Sequence, residues 1–227
     1  MRVPMARRFF PRCLRIALLA VLIAASGGAA VARAEGVAVA VVLENARVLL
    51  GPSAATASSR WLSLLEKMRS APELEQLRAV NNFWNSHLKP ADDMAVWGVD
   101  DYWATPLESL GKGAGDCEDY VIGKYFSLVF MGMPPEKLRF IYVKARLGTE
   151  SIAHMVLGYY ATPGSEPLVL DSLESRIVSA SRRHDLTPVF SFNIRGIYVP
   201  GARPASVDRI GRWKSLLARM RSEGFQP

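Results

Sequence analysis

Residues Gly111 to Tyr120 read Gly-Lys-Gly-Ala-Gly-Asp-Cys-Glu-Asp-Tyr. The glycine-rich run ends where an apolar stretch begins, which places Cys117 at the start of a helix. A thiol attacks as its thiolate, so a reactive cysteine needs a lowered pKa. The positive end of a helix dipole and an imidazolium partner both lower it. Three histidines are available: His87, His154 and His184. His154 opens a β-branched and aromatic stretch, where a strand can aim its ring, and it alternates with Val156, Gly158 and Tyr160. His87 falls in the last turn of a helical pattern, and His184 in the polar run Ser181 to Asp185. Asp171 follows the short apolar run Pro167 to Leu170, on the strand after the one that carries His154. Adjacent antiparallel strands bring such a pair within reach when the register allows, and the turn through Thr162 to Ser165 leaves that register open. Cys117, His154 and Asp171 thus form a candidate set of nucleophile, base and orienting acid. The plainer readings are a structural histidine and an aspartate that ends a strand in a turn.

Three more acids flank the thiol: Asp116, Glu118 and Asp119. Asp116 suits a helix N-cap, and Asp119 three residues later suits the first turn. Their summed charge nevertheless raises a thiol pKa and opposes the chemistry. A hard cation on these oxygens would cancel that penalty, and calcium fits an all-oxygen cluster in an exported protein. There is no His/Cys cluster of the kind zinc takes.

The first 34 residues read as a secretory signal peptide. Arg2, Arg7, Arg8, Arg12 and Arg15 precede the apolar stretch Ile16 to Ala25, and Ala32-Arg33-Ala34 fits a small-x-small cleavage site. The stretch is too short to span a bilayer comfortably, which sets an uncleaved anchor second. Six of the 28 basic residues and none of the 21 acids lie in this segment, so 22 basic and 21 acidic residues remain. The basic excess of the whole chain is therefore targeting signal, and the rest offers no basic face for nucleic acid. Cys13 leaves with the signal, and one cysteine cannot build an internal disulfide framework. Residues 35–227, 193 of the 227, suit a single domain with a sizeable core.

The elements around these residues follow from periodicity. Residues 35–59 are rich in Ala, Val and Ser without a clear period. Arg60 to Arg69 and Glu73 to His87 carry apolar residues at helical spacing and flank Pro72. Lys89 to Pro106 reads as an ordered loop, and Thr105-Pro-Leu-Glu108 as a helix start. Asp116 to Met131 is an apolar, buried helix whose only charge beyond Tyr120 is Lys124. Strand patterns follow over Leu138 to Ala145, Ala153 to Ala161 and Glu166 to Leu170, with two more over Val189 to Asn193 and Gly196 to Val199. An amphipathic helix over Ser206 to Ser222 ends the chain. Helices first and hairpin-like strands after them argue an α+β domain with an antiparallel sheet.

Several of these segments together resemble a known family. Gly115-Asp-Cys-Glu-Asp119 with Lys124-Tyr125, Leu138 to Lys144, Ala153-His-Met-Val-Leu157 and Pro167-Leu-Val-Leu-Asp171 are similar, in order, to the bacterial transglutaminase-like cysteine proteinases. Tyr102 to Pro106 and Ser191-Phe-Asn193 fit as well, and the likeness runs from about Trp61 to Val199. The resemblance implies a papain-like, transglutaminase-like fold, with the nucleophile helix packed on the sheet. It implies Cys117, His154 and Asp171 as catalytic triad and Asp116, Glu118 and Asp119 as calcium ligands. It implies a periplasmic endopeptidase that cuts the N-terminal region of a large surface adhesin and releases cells from biofilm. Its inhibitor would be the periplasmic domain of an inner-membrane cyclic di-GMP receptor. Two other readings stand beside this one: an acyltransferase with the same triad, and a non-catalytic scaffold, which the intact set of three residues disfavours.

Overall fold

The computed structural model describes residues 39–227. The expected signal peptide, with Cys13, lies outside the described residues. The chain divides into two units, 1–40 and 41–227, and the second carries every element that follows except the first two residues of helix α1. Residues 39–50 are helical (α1), followed by α2 (Pro52–Met68) and α3 (Glu73–His87). The stretch without a clear period is thus helical from residue 39 onward. Its many small residues give no amphipathic stripe, but Val42, Ala46, Ala54 and Ser58 still pack inward. Pro52 at the start of α2 costs nothing, because the first turn has no partner for its missing N–H.

A short strand β1 (Lys89–Pro90) pairs in parallel with β2 (Ala114–Gly115). Between them lie α4 (Asp93–Trp97) and α5 (Pro106–Lys112). The expected loop therefore contains one helical turn and one strand. At α5 the expected start is realised as a full capping box: Thr105 Oγ1 accepts from the Glu108 N–H, and Glu108 accepts from the Thr105 N–H. The β1–β2 pairing ties residue 91 to Gly115 through a 3.0 Å backbone bond, and so carries α4 to the entrance of the next helix.

That next helix, α6 (Cys117–Phe130), is buried over most of its length. It is packed by α3, α2 and α5 and lies on strand β4. Ser127 locks it in place. The indole N–H groups of Trp61 and Trp84 both donate to Ser127 Oγ, at 2.7 and 2.9 Å, and the hydroxyl donates to the Gly123 carbonyl at 2.6 Å. One hydroxyl thereby fills both lone pairs and spends its one proton, joining α2, α3 and α6 without an unsatisfied group. Gly123 lets the Trp84 ring approach this closely, because a β-carbon there would overlap the ring.

The sheet has six strands in the order β6-β5-β4-β3-β7-β8, every pairing antiparallel. They are β3 (Leu138–Leu147), β4 (Glu150–Tyr159), β5 (Leu168–Leu170), β6 (Val178–Ser179), β7 (Leu186–Asn193) and β8 (Gly196–Tyr198). Helix α7 (Gly211–Ser222) closes the chain, shorter at its start than its sequence pattern because Val207–Arg209 forms a separate 3-10 turn. The main core joins the helices to one face of the sheet, through Tyr125, Phe126, Phe140, Leu157, Phe192 and Trp213. Replacing Gly123 by Ala forces the Trp84 ring out of this packing. The Gly123→Ala protein is expected to lose about 1–3 kcal/mol, read as a lower urea midpoint at unchanged slope.

Candidate active site

Cys117 is the first residue of α6, and Asp116 is its N-cap. The thiol donates to Glu118 Oε2 at 3.0 Å and lies within hydrogen-bonding reach of the Met155 N–H on β4. Strand β4 thus delivers to the helix terminus the residue immediately after His154. Burial pushes the Cys117 thiol well up, Glu118 and Asp116 push it further, and only the Met155 N–H works the other way. In this arrangement the thiol is held protonated.

His154 and Asp171 are both buried, and His154 Nε2 meets Asp171 Oδ1 at 2.7 Å. The β4–β5 register decides this contact. Leu157 pairs with Leu170, so Asp171 falls just past the end of β5, beside the stretch of β4 that carries His154. Each Asp171 oxygen is engaged: Oδ1 also accepts from the Leu173 N–H at 3.0 Å, and Oδ2 accepts from Arg183 at 2.7 Å. Asn85 on α3 anchors the Asp171 carbonyl at 2.8 Å. Burial alone would raise the Asp171 pKa, but His154, Leu173 and Arg183 outweigh it and hold the carboxyl at about 2.

Arg183 was not singled out by the sequence. It is the third residue of the polar run Ser181 to Asp185, whose His184 is exposed. The Arg183 side chain is 6% exposed and forks onto Asp185 at 2.9 and 2.7 Å while holding Asp171. Asp185 therefore supports the arginine rather than the imidazole. His87 stays in its helix, stacked on Phe83 with its Nδ1 on the Phe83 carbonyl at 2.9 Å. Lys124, two turns along α6 from Cys117, is fully buried with no hydrogen-bond partner. Burial drives its pKa down to about 7 against the pull of Asp171.

The acids beside the thiol sort into two groups. Asp116 and Asp119 join Asp93, and one oxygen from each lies within 4.8 Å of the others. Glu118 instead turns to the thiol, with Asp116 nearby. Asp93, in a segment whose sequence reads as a loop, reaches this place through α4 and the β1–β2 pairing. The Asp116 side chain makes no capping bond, unlike the expected N-cap, because it is turned into the acid group. One oxygen each of Asp93, Asp116 and Asp119 is buried without a partner. Asp119 folds back so tightly on Gly115 that a β-carbon there would lie 2.5 Å from its carboxylate, and its other oxygen takes the Ala104 N–H at 2.9 Å. Burial raises all three carboxyls, and their neighbours add to it; Asp116 is pushed up to about 9. Three carboxylates gathered this closely, each with an orphaned oxygen, match the donor set of a hard divalent cation.

An antiparallel sheet packed by a buried helix that opens on a cysteine has the architecture of the transglutaminase-like fold. The chain belongs to the bacterial transglutaminase-like cysteine proteinases: a profile of that family matches residues 58–184. Its structure is similar to Legionella pneumophila LapG, at 40% identity over 80% of this chain and 95% of that chain, with a TM-score of 0.70. LapG treated with EGTA is 38% identical over 80% and 97%, with a TM-score of 0.71. Calcium-bound LapG is 40% identical over 78% and 98%, with a TM-score of 0.67. No curated protein matches the sequence.

The Asp171 network has a pH signature. A carboxyl at about 2 in the folded protein and about 3.9 in the unfolded chain contributes stability at pH values above about 4. That contribution is lost as the pH falls toward 2. The difference in urea stability between the protein and Asp171→Asn should therefore shrink over this window. Arg183→Met should shift the window toward higher pH.

Proposed function

We propose that the protein is a calcium-dependent cysteine endopeptidase of the periplasm, with Cys117 as nucleophile, His154 as base and Asp171 as the acid that orients it. The observation that carries this reading is the 2.7 Å contact of His154 Nε2 with Asp171, on the strand that also meets the Cys117 thiol through Met155. A proton held between Nε2 and Asp171 leaves Nδ1 with its lone pair, the tautomer that can take a proton from a thiol. Asp171, fixed on both oxygens, then stabilises the imidazolium that forms. Attack on a scissile carbonyl gives an acyl-enzyme, and the same imidazolium returns its proton to the leaving amine. The Cys117 N–H, at a helix terminus, is the natural donor to the oxyanion.

Asp93, Asp116 and Asp119 are the residues that would hold calcium, as LapG does in its calcium-bound form. When bound, the ion supplies positive charge where three carboxylates otherwise oppose a thiolate. Glu118 touches the thiol directly, and with Asp116 and Cys117 it forms a second group of ligand atoms beside the first. The signal-like N-terminus supports export to the periplasm. The substrate class follows from the family resemblance: the N-terminal region of a large repeat adhesin, cut to release cells from a biofilm. On the same ground, the periplasmic domain of an inner-membrane cyclic di-GMP receptor is the inhibitor.

Incubation with such an adhesin region should give two peptides with free termini. Cys117→Ala should abolish cleavage, and Asp171→Asn, which favours the wrong tautomer, should slow it by about 10³-fold or more while the protein stays folded. An isopeptide-linked product in place of two fragments would assign the site to acyl transfer.

Calcium should raise the melting temperature, and EGTA should remove both that increment and the activity. Asp93→Asn should abolish the increment. Glu118→Gln should change the rate at which iodoacetamide labels Cys117. A calcium-induced increment that persists undiminished in Asp93→Asn would take Asp93 out of the site.

A further inference from the structure

The face of the sheet away from the main core carries a separate apolar floor. Val143, Val156 and Val169, from three neighbouring strands, cluster apart from the rest of the core. On β3, Arg139, Ile141 and Val143 alternate onto one face, and Ile141 pairs with Val156. These residues line a cavity of about 510 Å³, a size that takes small ligands.

The polar groups of this cavity define what it accepts. Its lining includes Arg139 and Arg183 and no acid. Arg183 is 6% exposed, and its Nε and one terminal nitrogen are spent on Asp171 and Asp185. Two carboxylates thus compensate its charge, yet its other terminal nitrogen is buried without an acceptor. Arg139 differs. Its guanidinium lies over the rings of Tyr160 and Tyr198, 4.7 and 4.3 Å from their centroids. Its Nε is also buried without an acceptor. Stacking on two rings fixes the plane of the guanidinium, so little side-chain freedom remains to be lost when its edge meets a planar anion. The cavity therefore presents one uncompensated positive charge and an apolar floor.

We propose that this cavity binds a small amphiphilic monocarboxylate, with its carboxylate on Arg139 and its hydrocarbon body on Val143, Val156 and Val169. One uncompensated cation matches one negative charge. A doubly charged phosphate would leave its second charge without a cation in the apolar cavity. A cation would be repelled by Arg139, and an alcohol would leave the guanidinium unpaired. The site makes no use of Cys117, so it stands whether or not the catalytic reading does.

Equilibrium dialysis of the exported chain against decanoate, kept below micelle formation, tests the proposal. One decanoate per protein is expected. Decanol should bind about tenfold or more weakly, as loss of one charged, bidentate contact implies. Arg139→Gln should weaken decanoate by a similar factor, Arg139→Lys by less, and Cys117→Ala not at all. Arg139 is half-buried at the cavity, so these variants are expected to melt as the parent does. Equal affinity for decanol and decanoate, unchanged binding in Arg139→Gln, or no binding would overturn the assignment. So would binding to anionic vesicles alone, or a concentration-dependent dimer in sedimentation that Arg139→Gln disperses. Those two results would give the face to a lipid surface or to a second copy of the chain.

Discussion

Burying helix α6 is the constraint on which the rest of the structure depends, because every polar group the helix carries inward must find a partner there. Ser127 shows the solved case. Its hydroxyl takes two indole N–H groups and gives its proton to the backbone, so three helices are joined at one atom with no group left over. The first half of the same helix shows the opposite. Asp116 and Asp119 enter the interior with an oxygen each unpartnered, and Lys124 enters with none of its donors used. An unsatisfied buried polar group costs about 1–3 kcal/mol, so a fold that keeps several along one helix keeps them for chemistry rather than for stability.

Two sets of carboxylates at this site are treated in opposite ways. Asp171 is as buried as any residue in the protein, yet donors from His154, Leu173 and Arg183 hold it ionised. Asp93, Asp116 and Asp119 have too few donors for their charge, and burial drives them toward the protonated form. The number of N–H groups facing each carboxylate decides the outcome, not the burial alone. The first set is built to stay charged and fix an imidazole. The second is incomplete until positive charge is added.

Arg183 links the site to the far side of the sheet. One nitrogen holds Asp171 behind the imidazole, and the side chain also lines the apolar cavity over Val143, Val156 and Val169. The sheet thus works on both faces. One anchors the helix that begins at the thiol, and the other presents a preorganised guanidinium at Arg139. A planar, charged fork suits this double engagement in a way that a lysine ammonium does not.

Much of this was legible in the sequence wherever the information is local. The capping box at Thr105 and Glu108, the start of α6 at Cys117 and the bounds of α3 each rest on residues within a few positions of one another. The segment order of the family was legible for the same reason, and with it the α+β class. What the sequence left open depended on contacts between distant segments. The register of β4 on β5, not the length of the turn between them, brings Asp171 to His154. The parallel pairing of β1 with β2, over a separation no periodicity reports, carries Asp93 to Asp116 and Asp119 and leaves Glu118 to the thiol. Residues 39–59, in α1 and the first part of α2, lacked a readable stripe because small residues pack as well as large ones once a neighbour is in place. Arg183 looked like one charge in a solvated run, since only the folded chain shows that its fork closes on two aspartates. Residue types and spacing determined which groups could do the chemistry; long-range pairing decided which of them meet.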